Sequence, residues 1–523
     1  MAHPEEVALI HRSPFPDVEI PDTTLTPFVL ERVGELPDKP ALIDGPTGRT
    51  ITYAQLATAI ASLSGGLGAA GFGRGEVVAL MAPNLPEYAI VFHGVASAGG
   101  VVSTINPTYT DREVHHQLVD SGARLMVTIP PFLDTARTAA TGTKVEEIYL
   151  IGEAEGATPV TALFGRPTTD LGPGVPQDLV VLPYSSGTTG LAKGVMLTHR
   201  NLVANLLQVN AVAQVREDER LVAVLPFFHI YGMQVLMNLG VHVGATVITM
   251  PRFDLEMFLQ ILSEHRITRA FVAPPIVVAL AKHPIVDQFD LSALEQVFSG
   301  AAPLSAELAL EAGARLGCEI VQGYGMTELS PVTHVTPPGG FKPGSVGITV
   351  PNTEMQIVDP VSSQPVGFDS DGEVWVRGPQ AMVGYLNNDE ATRATIDEDG
   401  WLHTGDIGRV DSDGHLYVVD RLKELIKYKG FQVPPAELEA LLLTHPAIAD
   451  AAVVGRPDDE AGEVPAAFVV LKAGQEASAD EIKSFVADQV AHYKQLGSVT
   501  FVEAIPKSPS GKILRRLLRD QTG

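Results

Sequence analysis

The chain has 523 residues, of which 45% are hydrophobic and 19% charged, and a formal net charge of −26. That length exceeds what one hydrophobic core usually fills, so at least two packed units are required, and the apolar content excludes disorder as the dominant state. The acidic balance excludes nucleic acid and anionic membrane surfaces as expected partners, because both are bound mainly through Lys and Arg meeting phosphate.

The lone cysteine, Cys318, rules out an internal disulfide and a multi-cysteine metal site and suits a reducing compartment. Met1 to Glu6 carries no basic and apolar leader pattern, and Asp520 to Gly523 matches no lipidation or peroxisomal signal. A cytoplasmic monomer or homodimer is the expectation.

Val77 to Met81 and Leu125 to Ile129 are short, branched apolar runs separated by helix-like stretches, the pattern of parallel strands joined by crossover helices. Next, the apolar strand Leu179 to Leu182 leads into Tyr184 to Val195, where Ser185, Ser186, Thr188 and Thr189 alternate with Gly187, Gly190 and Gly194 around Lys193. Glycines let backbone N–H groups turn toward an anion, hydroxyls donate to its oxygens, and a lysine supplies movable positive charge, so this loop is expected to hold a polyphosphate. It is not a Walker A loop, because Gly194 follows Lys193 where that motif has Ser or Thr. On so acidic a protein an anionic nucleotide needs locally gathered cations, with screening over about 8 Å hiding the remote surface.

This loop resembles the signature of the adenylate-forming superfamily, which comprises acyl-CoA and 4-coumarate-CoA ligases, firefly luciferase and the adenylation domains of peptide synthetases. The resemblance extends over essentially the whole chain. It implies an α/β fold: a large N-terminal domain of α/β subdomains with a small distorted β-barrel, and a smaller, mobile α+β C-terminal domain.

Leu221 to Met250 contains no Asp, Glu, Lys or Arg and is long enough to cross a bilayer. Pro226, Gly232, Gln234, Asn238 and Gly244 interrupt it, and Gly244 to Met250 reads as a β-branched strand, so a strand, helix, strand passage is expected and no membrane span. Within it, Phe227 to Gly232 lacks the Asp by which peptide-synthetase domains hold an amino acid's ammonium, which disfavours an amino acid substrate. His229 reads as a gate or orienting residue. Arg252 and Phe253 offer charge and stacking to the nucleotide part of CoA.

Ala270 to Ala273 continues the strand series. Ser299 to Leu304 is similar to the family segment whose small residues, Ala302 especially, lie along the adenine edge and the acyl pocket. The next strand, Glu319 to Gln322, opens into Gln322, Gly323, Tyr324, Gly325, Met326, Thr327 and Glu328. By resemblance Tyr324 stacks on adenine, Thr327 donates to the α-phosphate, and Glu328, with Thr188, holds Mg2+. A hard dication bridging phosphate oxygens needs few protein carboxylates.

From about Pro351 to Asp420 the texture changes to short strands and acidic Gly turns, as in Asp371 to Arg377 and Asp411 to Val419, which predicts a small antiparallel β unit. There Trp401 to Asp406 resembles the ribose motif, with Asp406 accepting from both ribose hydroxyls. We place the domain boundary at 420/421, giving domains 1–420 and 421–523. The segment after it, Arg421 to Gln432, is rich in cations. The resemblance assigns Arg421 to the ribose, Lys423 to the hinge, Lys427, Lys429 and Gly430 to the thioester-forming surface, and Gln432 to the nucleotide. Near the end Lys512 follows a Ser-Gly turn, and in the family this lysine bridges the attacking carboxylate and the α-phosphate. The physical need is plain, since a carboxylate approaching a tetra-anionic nucleotide is repelled unless fixed cations neutralise the gathering charge.

The expected reaction is therefore acid, ATP and CoA to acyl-CoA, AMP and pyrophosphate through an acyl-adenylate. Lys512 serves the first half and Lys427 to Gly430 the second, with the small domain turning about Lys423 between them. For the acid, His229 to Tyr231, Gly300, Gly323, Gly325, Pro331 and Val332 resemble 4-coumarate-CoA ligases. Together with Gln234, Phe298 and Ala301 they form the expected acid pocket, its glycines leaving a flat slot beside an apolar wall for an aryl-propenoate ring. Plant coumarate ligases commonly carry Lys where Phe298 stands, and Gln234 replaces an Asn expected to meet the phenol. Cinnamate, a medium- or long-chain fatty acid, and a luciferase-like or carrier-loading activity stay open at this point.

Overall fold

The computed structural model describes residues 9–171, 174–185, 192–429, 431–458, 461–508 and 511–519. Two large twisted sheets dominate the first four-fifths of it. One has eight strands in the order Gly384–Tyr385, Lys193–Thr198, Leu179–Ser185, Val101–Thr104, Val77–Met81, Leu125–Thr128, Glu147–Leu150 and Thr158–Pro159. Its strands run parallel except at Lys193–Thr198, which returns antiparallel to Leu179–Ser185 and to Gly384–Tyr385.

The second sheet has nine strands, from Ile348–Thr349 through Val332–Val335, Glu319–Gly325, Gln296–Ser299, Arg269–Val272, Arg220–Ala223, Thr246–Thr249 and Pro40–Asp44 to Thr50–Thr52. Its six central strands are parallel. Strands buried on both faces read as continuous apolar runs, and Val77–Met81 is such a strand, with Val78, Ala79, Leu80 and Met81 at most 1% exposed. The charge-free stretch completes strand Arg220–Ala223 and then forms a helical passage from Gly232 to Val243 and strand Thr246–Thr249, as its β-branched end required. Among the described residues no helix is long and apolar enough to cross a membrane.

A five-stranded antiparallel sheet follows, formed by His11–Arg12, Glu354–Val358, Gly372–Arg377, Leu402–Val410 and Leu416–Arg421. It shares one continuous core with the two large sheets, from Met355, Ile357 and Val374 to Leu202 and Phe298. After Arg421 a last sheet of Phe431–Val433, Ile426–Tyr428, Gly462–Leu471, Ile448–Asp458 and Ser498–Phe501 packs on helices Pro435–Leu443 and Ala479–Ala487. Its core is separate, built on Ile426, Leu438, Val453, Val469 and Ile482. Cys318 is half-buried just before strand Glu319–Gly325, and burial pushes its thiol up to about 11, so it is inert at neutral pH.

Candidate nucleotide and acid site

The site lies where strand ends of the first three sheets meet, with the Lys512 loop beside them. Strand Glu319–Gly325 delivers Tyr324, whose hydroxyl donates to Asp406 Oδ2 at 2.6 Å. Asp406 comes from strand Leu402–Val410, is 5% exposed, and takes Arg421 Nε on its other oxygen at 2.9 Å. Arg421 is also its antiparallel register partner, so the ion pair follows from strand pairing. Tyr324, Asp406 and Arg421 thus form one hydrogen-bonded set that fixes the plane of the Tyr324 ring.

Beyond Gly325 a short 3-10 turn, Thr327–Leu329, carries Glu328 inward to 4% exposure, with Thr327 half-buried beside it. Tyr385 donates its hydroxyl to Glu328 Oε1 at 2.8 Å, and the Lys193 ammonium sits 4.7 Å from the centre of the same Tyr385 ring. Lys193 is the register partner of Ser185 at the base of the phosphate loop, so one tyrosine ties the loop's lysine to the acidic residue. The loop's approach is pinned from outside, where Tyr184 donates to Asp120 at 2.8 Å. Ser186, Gly187, Thr188, Thr189 and Gly190 lie outside the described residues, as does Gly430.

Gln322 is 4% exposed and its side-chain oxygen accepts from Leu304 N–H at 3.2 Å, which clamps the segment Gly300 to Leu304 against the strand. In that segment Ala301 adopts φ +73°, a left-handed conformation that costs an L-residue about 1–2 kcal/mol, and Ala302 follows it half-buried. Strain of this kind at a turn facing the nucleotide side is held in place by the Gln322 clamp.

Lys512 reaches this site from the last hundred residues. It is half-buried in the field of Arg421, Asp406 and Glu424, and burial together with the Arg421 charge lowers its ammonium below the usual lysine range. Its loop is closed by Ser508 N–H on the Lys512 carbonyl at 2.8 Å, and Gly511 at its tip (φ +83°) is so close to Ala273 that an added Cβ would stand 3.0 Å from the alanine's own. If the cation is the working form, as the family resemblance implies, its contribution is present below the lowered value and is lost as pH rises through it. An alkaline limb in acid-dependent pyrophosphate release should therefore fall below the ordinary lysine range, and a pH–rate profile checks it.

His229 feels the Lys512 charge. Burial first, then that charge, lowers its imidazole to about 4, so it is neutral throughout the working range. Its Nδ1 accepts from Tyr231 N–H at 3.2 Å, which leaves the other ring nitrogen as the donor and suits an orienting role better than that of a base.

On the acid side, Tyr231, Phe298 and Val332 are 7%, 5% and 7% exposed. A Cβ on Gly300 would meet the Tyr231 ring at 2.9 Å, and one on Gly323 would meet the Phe298 ring at 2.5 Å. This corrects the expected slot, because the missing side chains make room for the wall's own rings and not directly for the acid. Gly325 is needed for a different reason, since its Cβ would stand 1.9 Å from the Pro331 carbonyl oxygen. Gln234 is also corrected: it is 1% exposed, donates to the Leu202 carbonyl at 2.6 Å and accepts from Asn238 at 2.9 Å, so its amide is not available to a phenol. The Tyr231 hydroxyl, by contrast, is buried without a hydrogen-bond partner.

With this geometry in hand, residues 29–386 match the AMP-binding enzyme family and residues 437–512 match the AMP-binding enzyme C-terminal domain. The chain is 45% identical to 4-coumarate–CoA ligase 3 of Oryza sativa subsp. japonica (98% of this chain, 95% of that one) and 44% identical to 4-coumarate–CoA ligase 1 of Petroselinum crispum (98% and 96%). The chain belongs to the AMP-binding enzyme family. It also superposes on an anthranilate CoA ligase in complex with anthranoyl-AMP with a TM-score of 0.89, at 29% identity over 97% of this chain and 98% of that one. Motifs and relatives agree on an AMP-forming acid–CoA ligase.

In this ligase the residues expected to serve the thiol stand apart from the nucleotide set. Lys427 and Lys429 are exposed on the hairpin Ile426–Tyr428 and Phe431–Val433, and Lys423 is exposed on the connection before it. Gln432 pairs through its backbone with Lys427. Arg252 and Phe253 are exposed ahead of helix Leu255–Glu264. The Lys512 loop is the part of the small sheet's neighbourhood that faces Asp406. Tyr385 and Asp120 were missed by reading motifs, since each acts on a residue distant in sequence and neither stands in a patterned segment.

Proposed function

We propose that the ligase activates an aryl-propenoic acid of the cinnamate and 4-coumarate class and transfers it to CoA, with Lys512 in place for the first half-reaction. The observation that carries this reading is the meeting of Lys512 with the Tyr324, Asp406 and Arg421 set beside a neutral His229 and an apolar acid wall. In the proposed order Asp406 receives the ribose hydroxyls, Tyr324 presents its face to adenine, and Lys512 offsets the charge that builds as the carboxylate attacks the α-phosphorus. Pyrophosphate leaves. The domain 421–523 then turns about Lys423, withdraws Lys512 and presents Lys427, Lys429 and Gly430, and the CoA thiol attacks the acyl carbon and expels AMP.

Glu328 suits Mg2+ shared with phosphate: one carboxylate oxygen is engaged by Tyr385, and among the described residues no cluster of three His, Cys, Asp or Glu groups exists to hold a metal alone. The ion would neutralise phosphate charge, with Thr188 the second residue assigned to it.

The Tyr231 hydroxyl favours an acid with a polar ring substituent over a plain alkyl chain, because a buried donor left unpaired costs about 1–3 kcal/mol that a hydroxyl on the acid would relieve. Purified protein is given ATP, Mg2+, CoA and a panel of cinnamic, hydroxycinnamic, benzoic and C6 to C16 fatty acids, and AMP and acyl-CoA are measured. Hydroxycinnamates should lead, and Tyr231→Phe should narrow their advantage over cinnamate by about tenfold. A fatty acid in first place, or AMP release that ignores CoA, overturns the reading.

A further inference from the structure

Asp420 precedes Arg421 on strand Leu416–Arg421 and is 6% exposed. Its Oδ1 accepts the Arg421 N–H at 2.7 Å and its Oδ2 accepts the Ala436 N–H at 2.8 Å. Ala436 is the second residue of helix Pro435–Leu443, which begins at Pro434 without a side-chain cap of its own. A residue on the strand that carries Arg421 therefore caps a helix of the following unit, filling one of the N–H groups that every helix start leaves open.

Arg515 closes the same cluster. It stands three residues after Lys512, pairs with Glu424, donates to both oxygens of Glu439 at 2.8 and 2.7 Å, and donates to the Val453 carbonyl at 3.2 Å. Glu439 lies on the helix that Asp420 caps, and Asp420 feels the Arg515 charge directly. The base of the Lys512 loop is thus fixed to helix Pro435–Leu443, and that helix is fixed to the strand beside Asp406.

Glu424, Glu439 and Arg515 all follow Lys423 in the chain, whereas Asp420 precedes it. A turn about Lys423 keeps the Arg515 pairs and the Asp420 bond to Arg421 intact and breaks the one bond of Asp420 that crosses the hinge, to Ala436. We propose that Asp420 is a positioning residue for adenylation, a cross-hinge latch whose capping of helix Pro435–Leu443 holds the arrangement in which Lys512 faces the nucleotide. This rests on the two-step reading given above. The latch weights the two arrangements against each other and touches neither substrate.

The test uses the full-length enzyme with Asp420→Ala and Asp420→Asn, the second keeping size and one acceptor oxygen while removing the charge opposite Arg515. Acid-dependent pyrophosphate exchange reports the first half-reaction, and AMP release by CoA from chemically prepared cinnamoyl-AMP reports the second. Exchange should fall about tenfold in kcat for alanine and less for asparagine, with KM for ATP little changed and the second half-reaction equal to wild type or faster. Equal losses in both half-reactions in the asparagine variant with an unchanged Tm, or unaltered exchange in both variants, overturn the latch. Should alanine fail to fold, the asparagine ratio decides. If wild type itself forms no thioester from cinnamoyl-AMP, the two-step reading fails, and the latch is then judged on exchange alone.

Discussion

Lys512→Ala will lower acid-dependent pyrophosphate exchange by about 10²- to 10³-fold, the loss usual when one preorganised group is removed from developing charge. Thioester formation from preformed acyl-AMP will change little, because pyrophosphate has already left the α-phosphorus and the thiol attacks the acyl carbon, from which AMP departs. Two features of the structure make the first loss large. The ammonium is half-buried, so its charge acts through a medium less screening than water, and burial together with the Arg421 charge lowers its proton affinity in the docked position. Measuring both half-reactions on one preparation gives a ratio independent of how much enzyme is folded. Equal loss in both would contradict the division of work between Lys512 and the Lys427 to Gly430 surface.

The candidate residues carried by contiguous chain segments were legible in the sequence as patterns. Tyr324, Thr327 and Glu328 occupy a single strand end and turn, and Asp406 and Arg421 sit in short motifs, so a local pattern reports them. Strand Val77–Met81 was equally plain because a strand buried on both faces has no polar alternation to obscure it. What local pattern does not carry is the meeting of distant segments. Tyr385 lies on a two-residue strand, Gly384–Tyr385, and gains its meaning only from Glu328, 57 residues away. Gln234 occupies the expected stretch of chain but turns its amide toward Leu202 and Asn238, a choice set by packing. The acid-pocket glycines were read as an open slot, which the structure fills with the wall's own rings, because sequence shows that a Cβ is missing and not which ring fills its place.

Asp406→Ala is the second large expectation. The carboxylate now holds the Tyr324 hydroxyl at 2.6 Å and Arg421 at 2.9 Å while being 5% exposed, and each of its oxygens retains a lone-pair direction for a ribose hydroxyl. On the proposed ribose role, removing it deletes two charge-assisted bonds to the nucleotide and releases the Tyr324 and Arg421 side chains, so kcat/KM for ATP should fall about 10²- to 10³-fold. The two losses are separable. Tyr324→Phe keeps the ring proposed to stack on adenine and removes only its tie to Asp406, and should cost about tenfold by itself. Once Asp406 is gone that tie no longer exists, so adding Tyr324→Phe to Asp406→Ala should cost little more, the non-additivity expected of residues in direct contact. Independent, multiplying losses in this double-mutant cycle would mean that Tyr324 serves the nucleotide without being oriented by Asp406.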